Sequence, residues 1–545
     1  MFGKENKSKF KIIKYMKISF ITAMALTILL MPSCTKKILD DALPQTNIAN
    51  DQWGSTTDLE RLIAGAYYGM TSYEGFRGVV GLPHAHEAYL SDDAYLHDNG
   101  VTGDWELDLY NRVNTRNDMG IHRLIWQGPY QAVALCNEVI GWVAKNGAFK
   151  DQFGPTWTDR LVGEGHFLRA YIYFTMVRMH APAFGASAGN DAKSIILMTE
   201  PSKDPFPNKA RSSVKEVYDL ILSDLTTAID KLPDGYRVGI DPLEYQDRAT
   251  RDAARFLLAR VYFQMKDFAK AKDQCDLVLN SNRYTLTEDP IQAWNKSGLN
   301  QKGRETVWQY VQYSTSQQQW KGTVTGASMG FTARGNNNIN GGRIKSPSDA
   351  FLTEVGWTPA TFTITNLPSA PPPAVIPTAN NYNIVSTDRR LTQLWKAIPA
   401  GFDPRPEFTG YTRTYVWCNK FNRLPTGNNN LTSLPLMRSA ELYLARAIIR
   451  LRDGDRNGAT DDLNAVRQRA GLAAITAVDI TEAMIHTERR KELIFEQDRL
   501  YYLQALGINI PPGDRTGTAP VDWKSNVFAM PIPAYETERN PNANN

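Results

Sequence analysis

Arg255-Phe-Leu-Leu-Ala-Arg-Val-Tyr-Phe-Gln-Met-Lys-Asp-Phe-Ala-Lys-Ala-Lys-Asp-Gln-Cys-Asp-Leu-Val278 is the stretch that decides the fold. Leu258, Ala259, Tyr262, Phe268, Ala271, Cys275 and Val278 fall at the spacing of a helix–turn–helix tetratricopeptide unit of about 34 residues. Small Ala259 and Ala271 let two helices approach closely, while Tyr262 and Phe268 fill the space around the turn. Further along, Arg438 to Ala470 repeats the scheme with Leu444, Ala445 and Ile448, and its turn Asp453-Gly454-Asp455 reads as slightly longer. Arg169-Ala170-Tyr171 and a helix from Val214 to Leu232 read as a third pair, split by a loop. Such units do not bury their apolar faces alone, so the pairs are expected to pack together although separated in sequence.

Helical periodicity extends over two thirds of the chain outside the leader. Tyr130 to Val143 and Trp157 to His180 read as amphipathic helices, the second carrying Leu161, Leu168, Tyr171, Phe174 and Val177. Ser212-Ser213 followed by Glu216 signals an N-cap and an acidic first turn, and Pro233-Asp234-Gly235 ends the helix that follows. Between the helical parts, Glu305 to Tyr313 alternates with the two-residue period of a strand. Gly/Asn-rich Gly335 to Gly342 and Pro-rich Pro368 to Pro377 then read as long loops on a helical scaffold. The fold class is mostly α: tetratricopeptide-like helical pairs with a loop-rich second half containing short strands. The expected division is a leader over 1–33, a helical part over 34–300 and a loop-rich part over 301–545.

The leader also accounts for the net charge. Its 33 residues hold six Lys and one Glu, so the formal +4 of the whole chain leaves about −1 for the rest. No excess of Lys or Arg remains to neutralise phosphates, and nucleic acid is not an expected partner. Ile18 to Met31 is apolar except for Ser19, Thr22 and Thr27, too short for a permanent membrane span. A Lys-rich stretch before it and Met31-Pro32-Ser33-Cys34 after it make a secretory signal, with Met16 as an alternative start. Cys34 stands where a lipoprotein signal places its lipidated cysteine, and two or three acyl chains there would anchor the chain stably. Cys136, Cys275 and Cys418 are widely spaced and read as buried free thiols.

Five segments in order closely resemble the SusD/RagB family of outer-membrane nutrient-binding lipoproteins. Gly163 to Phe174 resembles the family's GEArFLRAyyYF helix. Ala440 to Ala447 and Leu463 to Gly471 resemble its AEvyLmyAEA and LNxVRxRAG pair. Glu488 to Glu496 is similar to ERRxELxFE, and Met530-Pro531-Ile532-Pro533 with Glu536, Asn540 and Pro541 to the closing PIPxxExxxNP. The pattern departs at Gln497-Asp498-Arg499-Leu500-Tyr501-Tyr502-Leu503, where the family has GqRwfDLxR, so local packing there is expected to differ. The resemblance implies a lipid-anchored outer-membrane protein facing the cell exterior. It implies oligosaccharide capture, a partnership with a SusC-like TonB-dependent transporter, and no enzymatic activity.

Other chemistry is weaker. Gly326-Ala327-Ser328-Met329-Gly330 fits the G-x-S-x-G nucleophile elbow, but Phe331-Thr-Ala-Arg-Gly-Asn-Asn-Asn does not start the helix an elbow needs, and the only downstream histidine is His486. His84, His86, Glu87, Asp92, Asp93 and His97 offer metal-ligand atoms, yet their spacing suits neither HExxH nor a structural zinc site. Polar capping of a loop accounts for them equally well. No metal, cofactor or catalytic residue is assigned.

A sugar site needs exposed aromatic faces flanked by polar groups. Trp126, Trp142, Trp294 and Trp308 read as structural. Trp105, among Asp104, Glu106 and Asp108, and Trp320, after Gln317-Gln318-Gln319, are the expected stacking platforms, with Tyr313 extending them and Trp357 as a further candidate. Within the same scaffold a peptide or other non-sugar nutrient is the alternative ligand. A pure assembly scaffold is the alternative role.

Overall fold

The computed structural model of the protein describes residues 53–70, 79–96, 104–113, 120–151, 154–202, 204, 207–236, 247–294, 302–310, 345–365, 383–398, 414–418, 420 and 434–544. The leader, Met16, Cys34, His97, Tyr313, Trp320, the Gly326–Gly330 stretch and the Gly/Asn- and Pro-rich loops lie outside the described residues. The first elements are α1 (Thr56–Gly69), α2 (Leu82–Leu90), β1 (Ala94–Leu96), α3 (Asp104–Tyr110), α4 (Gly120–Asn146) and α5 (Gly154–His180). Next come α6 (Val214–Lys231), α7 (Arg251–Gln264), α8 (Phe268–Leu279), β2 (Thr306–Tyr310), β3 (Lys345–Pro347) and α9 (Asp349–Glu354). They are followed by β4 (Thr363–Thr365), β5 (Asn383–Val385), α10 (Arg389–Leu394), β6 (Trp395–Ile398), β7 (Tyr415–Cys418) and β8 (Leu434–Arg438). The chain closes with α11 (Ser439–Arg452), α12 (Arg456–Arg469), α13 (Glu482–Leu493), α14 (Arg499–Leu506) and α15 (Ala534–Arg539).

Caps set the helix starts. Ser213 and Glu216 form a reciprocal capping box at α6: the Glu216 amide donates to Ser213 Oγ at 3.2 Å, and the Ser213 amide to Glu216 Oε2 at 2.7 Å. Thr250, Asp267, Asp455 and Thr481 cap α7, α8, α12 and α13 in the same sense with a side-chain oxygen. Inside the α7–α8 turn, Lys266 takes a positive φ of 64°, and its amide bonds Phe263 O while the Asp267 amide bonds Tyr262 O. Gly454 does the same between α11 and α12, with Asp455 bonding Arg450 O. Both turns span three residues, so the α11–α12 turn is not longer than its counterpart. One termination motif sets both lengths.

The helices stack in an unbroken order. α1 packs on α4, α4 on α5, α5 on α6, α6 on α7, α7 on α8, α8 on α11, and α11 on α12 and α13. The three pairs read from the sequence are therefore neighbours in one array, although about 160 residues separate α8 from α11. Arg446 of α11 bonds Asp276 of α8 at 2.7 Å across that seam. β2 pairs antiparallel with β8, so the chain leaves and rejoins the helical array through one strand ladder. The other sheets, β1–β3, β4–β5 and β6–β7, are also two-stranded and antiparallel. Gly54–Asn545 form one compact unit. Among the described residues no helix is long and apolar enough to cross a membrane.

α5 is buried almost all round from Arg160 to His180, and it pairs its most deeply buried charges, Glu164 with Arg160 and Arg169 with Asp224. Arg169 grips Asp224 through Nε and Nη2 at 2.8 and 2.7 Å and bonds Asn137 Oδ1 with Nη1. Cys136, Cys275 and Cys418 are buried free thiols, as expected, and burial pushes the first two up to about 12 and the third to about 11.

Candidate ligand-binding site

Trp105 lies in the first turn of α3 and is half-buried, whereas Glu106, Leu109 and Tyr110 of the same helix are buried. Its indole meets the fully buried Tyr89 of α2 edge-on, with ring centroids 6.4 Å apart. One part of the ring is thus anchored while the rest reaches the surface.

The mount beneath Trp105 is tied down by two arginines. Arg112 follows α3 with φ 56°, and the amides of Arg112 and Val113 bond Leu109 O and Asp108 O in a Schellman ending normally built with glycine. An arginine in that conformation costs about 1–2 kcal/mol. Its guanidinium offsets the cost by bonding Leu90 O at 3.0 Å, Ser91 O at 3.3 Å and Pro511 O at 2.7 Å. Arg515 lies over the Tyr110 ring, 4.4 Å from its centroid, and donates to the carbonyls of Tyr89, Tyr110, Ser91 and Pro512. Burial pushes Arg112 down to about 9, with Arg515 adding to it. These contacts lock the ends of α2 and α3 to the segment 510–515. Sequence spacing gave no warning of this, because the partners lie about 400 residues away.

β1 follows α2 directly and pairs with β3, Leu96 standing opposite Lys345.

Trp357 is not a platform. It is 2% exposed and packs edge-on against Phe351 and Trp395, with centroids 5.9 and 5.4 Å away. The cause is local. Gly356 takes φ 70° after α9, its amide bonds Thr353 O, and the Trp357 amide bonds Leu352 O. This Schellman turn folds the residue after the glycine back onto the helix, and the Glu354-Val-Gly-Trp357 order is its sequence signal. Trp126, Trp142, Trp294 and Trp308 are buried, as expected of structural side chains. Trp523, which sequence reasoning passed over, is half-buried, but Lys266 Nζ lies 3.7 Å from its ring centroid and covers a face.

The histidine and carboxylate cluster belongs to the core instead of a loop. His84, His86, Glu87, Asp92 and Asp93 are all at most 2% exposed. Gln497 Nε2 lies 2.9 Å from His84 Nδ1, and Glu87 Oε1 accepts the Leu500 amide at 2.9 Å. Asp92 takes Nε and Nη2 of Arg499 at 2.9 and 3.0 Å, and Asp93 takes Arg490 Nε at 2.7 Å. Burial alone would raise Asp92, but Arg490 and Arg499 outweigh it and hold the carboxyl at about 2. Burial raises Asp93 to about 6 despite Arg490. Asp92 and Asp93 face guanidinium groups, and no group of three or more His, Cys, Asp or Glu placed to hold a metal occurs among the described residues.

The departure from the family pattern is also locally explained. Gln497 stands where the family motif has glycine, and its φ is 63°. Asp498 takes a bidentate ion pair from Arg489 at 2.9 and 2.6 Å.

Two family models match the chain in order. One, described as starch-binding associating with outer membrane, matches residues 46–263. The other, described as SusD family, matches residues 377–503. Similar solved structures include a SusD superfamily protein from Bacteroides thetaiotaomicron, with TM-score 0.72, 20% identity, and 90% of this chain and 99% of that one covered. A sugar binding protein so described from Bacteroides vulgatus gives TM-score 0.68 at 21% identity, covering 90% and 98%. A SusD-like carbohydrate binding protein from the same species gives 0.65 at 18%, covering 90% and 98%. At these identities the likeness to solved structures is one of fold. Comparison with curated proteins gives no match.

Proposed function

The chain belongs to the SusD/RagB family, and from that premise we propose that it is a carbohydrate-binding protein of the outer membrane. In this reading it is anchored through Cys34, faces the cell exterior, and passes oligosaccharide to a SusC-like TonB-dependent transporter. Capture is reversible and breaks no bond. A pyranose stacks on Trp105, with Trp320 and Tyr313 as further aromatic contacts to the ligand. The observation that carries the reading is the mount of Trp105. An indole held edge-on by a buried tyrosine, over a backbone clamped by Arg112 and Arg515, is pre-organised for stacking and loses little entropy on binding. The family's glycan role supplies the ligand class.

The test is native affinity electrophoresis of the chain from Thr35 onward against a panel of polysaccharides. Retardation by one glycan, weakened about tenfold or more by Trp105→Ala, is the expected outcome for a central aromatic anchor. Retardation that survives Trp105→Ala and Trp320→Ala removes the site and keeps the ligand class. Absence of retardation by every glycan would overturn the reading in favour of a peptide or another nutrient.

A further inference from the structure

We propose that Glu87 is a proton-held latch between α2 and α14: the chain carries one proton on this carboxyl while the two helices are docked and releases it when they part. Glu87 is 0% exposed. Its Oε1 accepts the Leu500 amide at 2.9 Å, at the start of α14. Its Oε2 is buried and has no hydrogen-bond partner among the described residues. Among those residues no cation lies within ion-pair distance of it. Other buried carboxylates of the core are held differently: Asp92 takes Arg499, Asp93 takes Arg490, Glu441 takes Arg260, and Glu492 takes Arg438 and Arg469.

A carboxyl with one amide donor and no cation does not stay ionised out of water; it takes up a proton and becomes neutral. The surroundings push the same way. The charges that reach Glu87 are those of Asp93, Asp498 and Asp92, all of its own sign. Nearby guanidinium groups are engaged elsewhere: Arg490 with Asp92, Asp93 and Glu354, Arg499 with Asp92, and Arg489 with Asp498. From α5, Arg178 lies over the Tyr501 ring and His180 Nδ1 meets Met530 O. On α2 itself His84 and His86 are buried neutral imidazoles. α3 adds buried Glu106 and β1 adds Tyr95, neither of them a cation. Burial first, and Asp93 second, hold the Glu87 carboxyl well above its usual range.

Such a latch yields to alkali and not to acid. An exposed glutamate has lost its proton above about pH 4.3, whereas the docked one keeps it. Parting the helices therefore releases one proton across the neutral range, and the opening constant rises about tenfold per pH unit. The same helix seats the Trp105 mount, since Arg112 bonds Leu90 O and Ser91 O while Arg515 bonds Ser91 O and Tyr89 O. Opening at Glu87 thus reaches the carbonyls on which that mount is clamped.

Amide hydrogen exchange of the chain from Thr35 onward, followed by mass spectrometry in peptides that contain Leu500, tests this between about pH 7 and 8.5, above the titration of Asp93. After correction for the intrinsic pH dependence of exchange, the opening constant of the wild type is expected to rise about tenfold per pH unit. Glu87→Gln, which replaces a neutral acid by a neutral amide of the same shape and keeps the Leu500 bond, is expected to give a level profile. Infrared spectra at about pH 7 are expected to show a protonated-carboxyl C=O band that Glu87→Gln removes. A level profile in the wild type, the same slope in both proteins, or a band unchanged by the substitution overturns the proposal. If Glu87→Gln does not fold, the wild-type slope decides alone, about tenfold per unit supporting the latch and a level profile refuting it.

Discussion

Replacing Arg446 by methionine tests the seam on which the whole array depends. Arg446 is 7% exposed and binds two helices at once: Nε and Nη2 grip Asp462 of α12 at 2.9 and 2.6 Å, and Nη1 bonds Asp276 of α8 at 2.7 Å. Breaking a buried ion pair by removing one partner costs about 3–5 kcal/mol when the other charge is orphaned. Here the orphaning is incomplete, since Arg450 Nη1 stays 3.0 Å from Asp462 and Lys272 Nζ stays 3.2 Å from Asp276. The expected loss is therefore about 2–3 kcal/mol, with methionine keeping most of the packed volume. Unfolding entropy of about 2.1 cal/mol/K per residue, over a unit of roughly 490 residues, comes to about 1 kcal/mol/K, so the midpoint should fall by about 2–3 °C. Calorimetry reads that shift directly. The double variant Arg446→Met with Asp462→Asn should recover part of it, because the buried carboxylate then carries no charge. A shift within about 0.5 °C for the single variant would mean that α8 and α11 are not joined through this guanidinium.

Two further predictions follow from buried groups. His84 and His86 are pushed down to about 3, and His180 to about 4, each chiefly by burial, so the native state keeps three neutral imidazoles. Their folded pKa values lie below that of the unfolded chain, so their stability is complete above about pH 6.5 and is lost as pH falls, by about 2 kcal/mol each at pH 5. Asp93, raised to about 6, and Glu87, raised well above its ordinary value, both chiefly by burial, work in the opposite sense and offset part of this loss. The thermal midpoint should drop by several degrees between pH 7.5 and 5, and a level or rising profile would sink the assignment. At Gln497 the positive φ and the bond to His84 act against each other. Gln497→Ala should be destabilising through loss of that bond, and Gln497→Gly should be about 1 kcal/mol more stable than the alanine variant in the same unfolding assay.

The helices were legible because their signals are local. The capping box at Ser213 and Glu216, the Pro233 stop, and the apolar spacing from Leu258 to Val278 each act within a few turns, and the structure keeps all of them. The stacking of α8 on α11 was legible too, since an unpaired helical repeat has to be covered. Trp105 was legible only as an aromatic residue in a polar stretch. Whether an indole there is held or loose depends on Arg112 and Arg515 reaching carbonyls on either side of a gap of about 400 residues, which no spacing rule reports. Trp357 was misjudged for the opposite reason: its Gly356 signal is local, but it is a turn signal and says nothing until Phe351 is seen beneath it.

The same contrast explains why the motifs that identify the family are silent about its ligand. Arg438, at the end of β8, bonds Glu305 just before β2, Glu492 of α13 at 3.0 Å, and Glu496 at 2.9 and 2.8 Å. Glu492 also takes Arg469 of α12 at 2.5 Å and Arg390 of α10 at 3.5 Å. Arg390, Arg438 and Glu492 are at most 2% exposed. Apolar side chains of equal volume would stabilise such a core as well or better, so stability alone does not explain charge there. What charge adds is register: a guanidinium accepts partners only where carboxylates wait, and these partners sit on the strands and helices where the long insertion leaves and re-enters the array. An array held by such matched charges tolerates free variation in the loops between them. In the proposed reading the ligand is chosen at Trp105, away from the residues by which the chain is recognised.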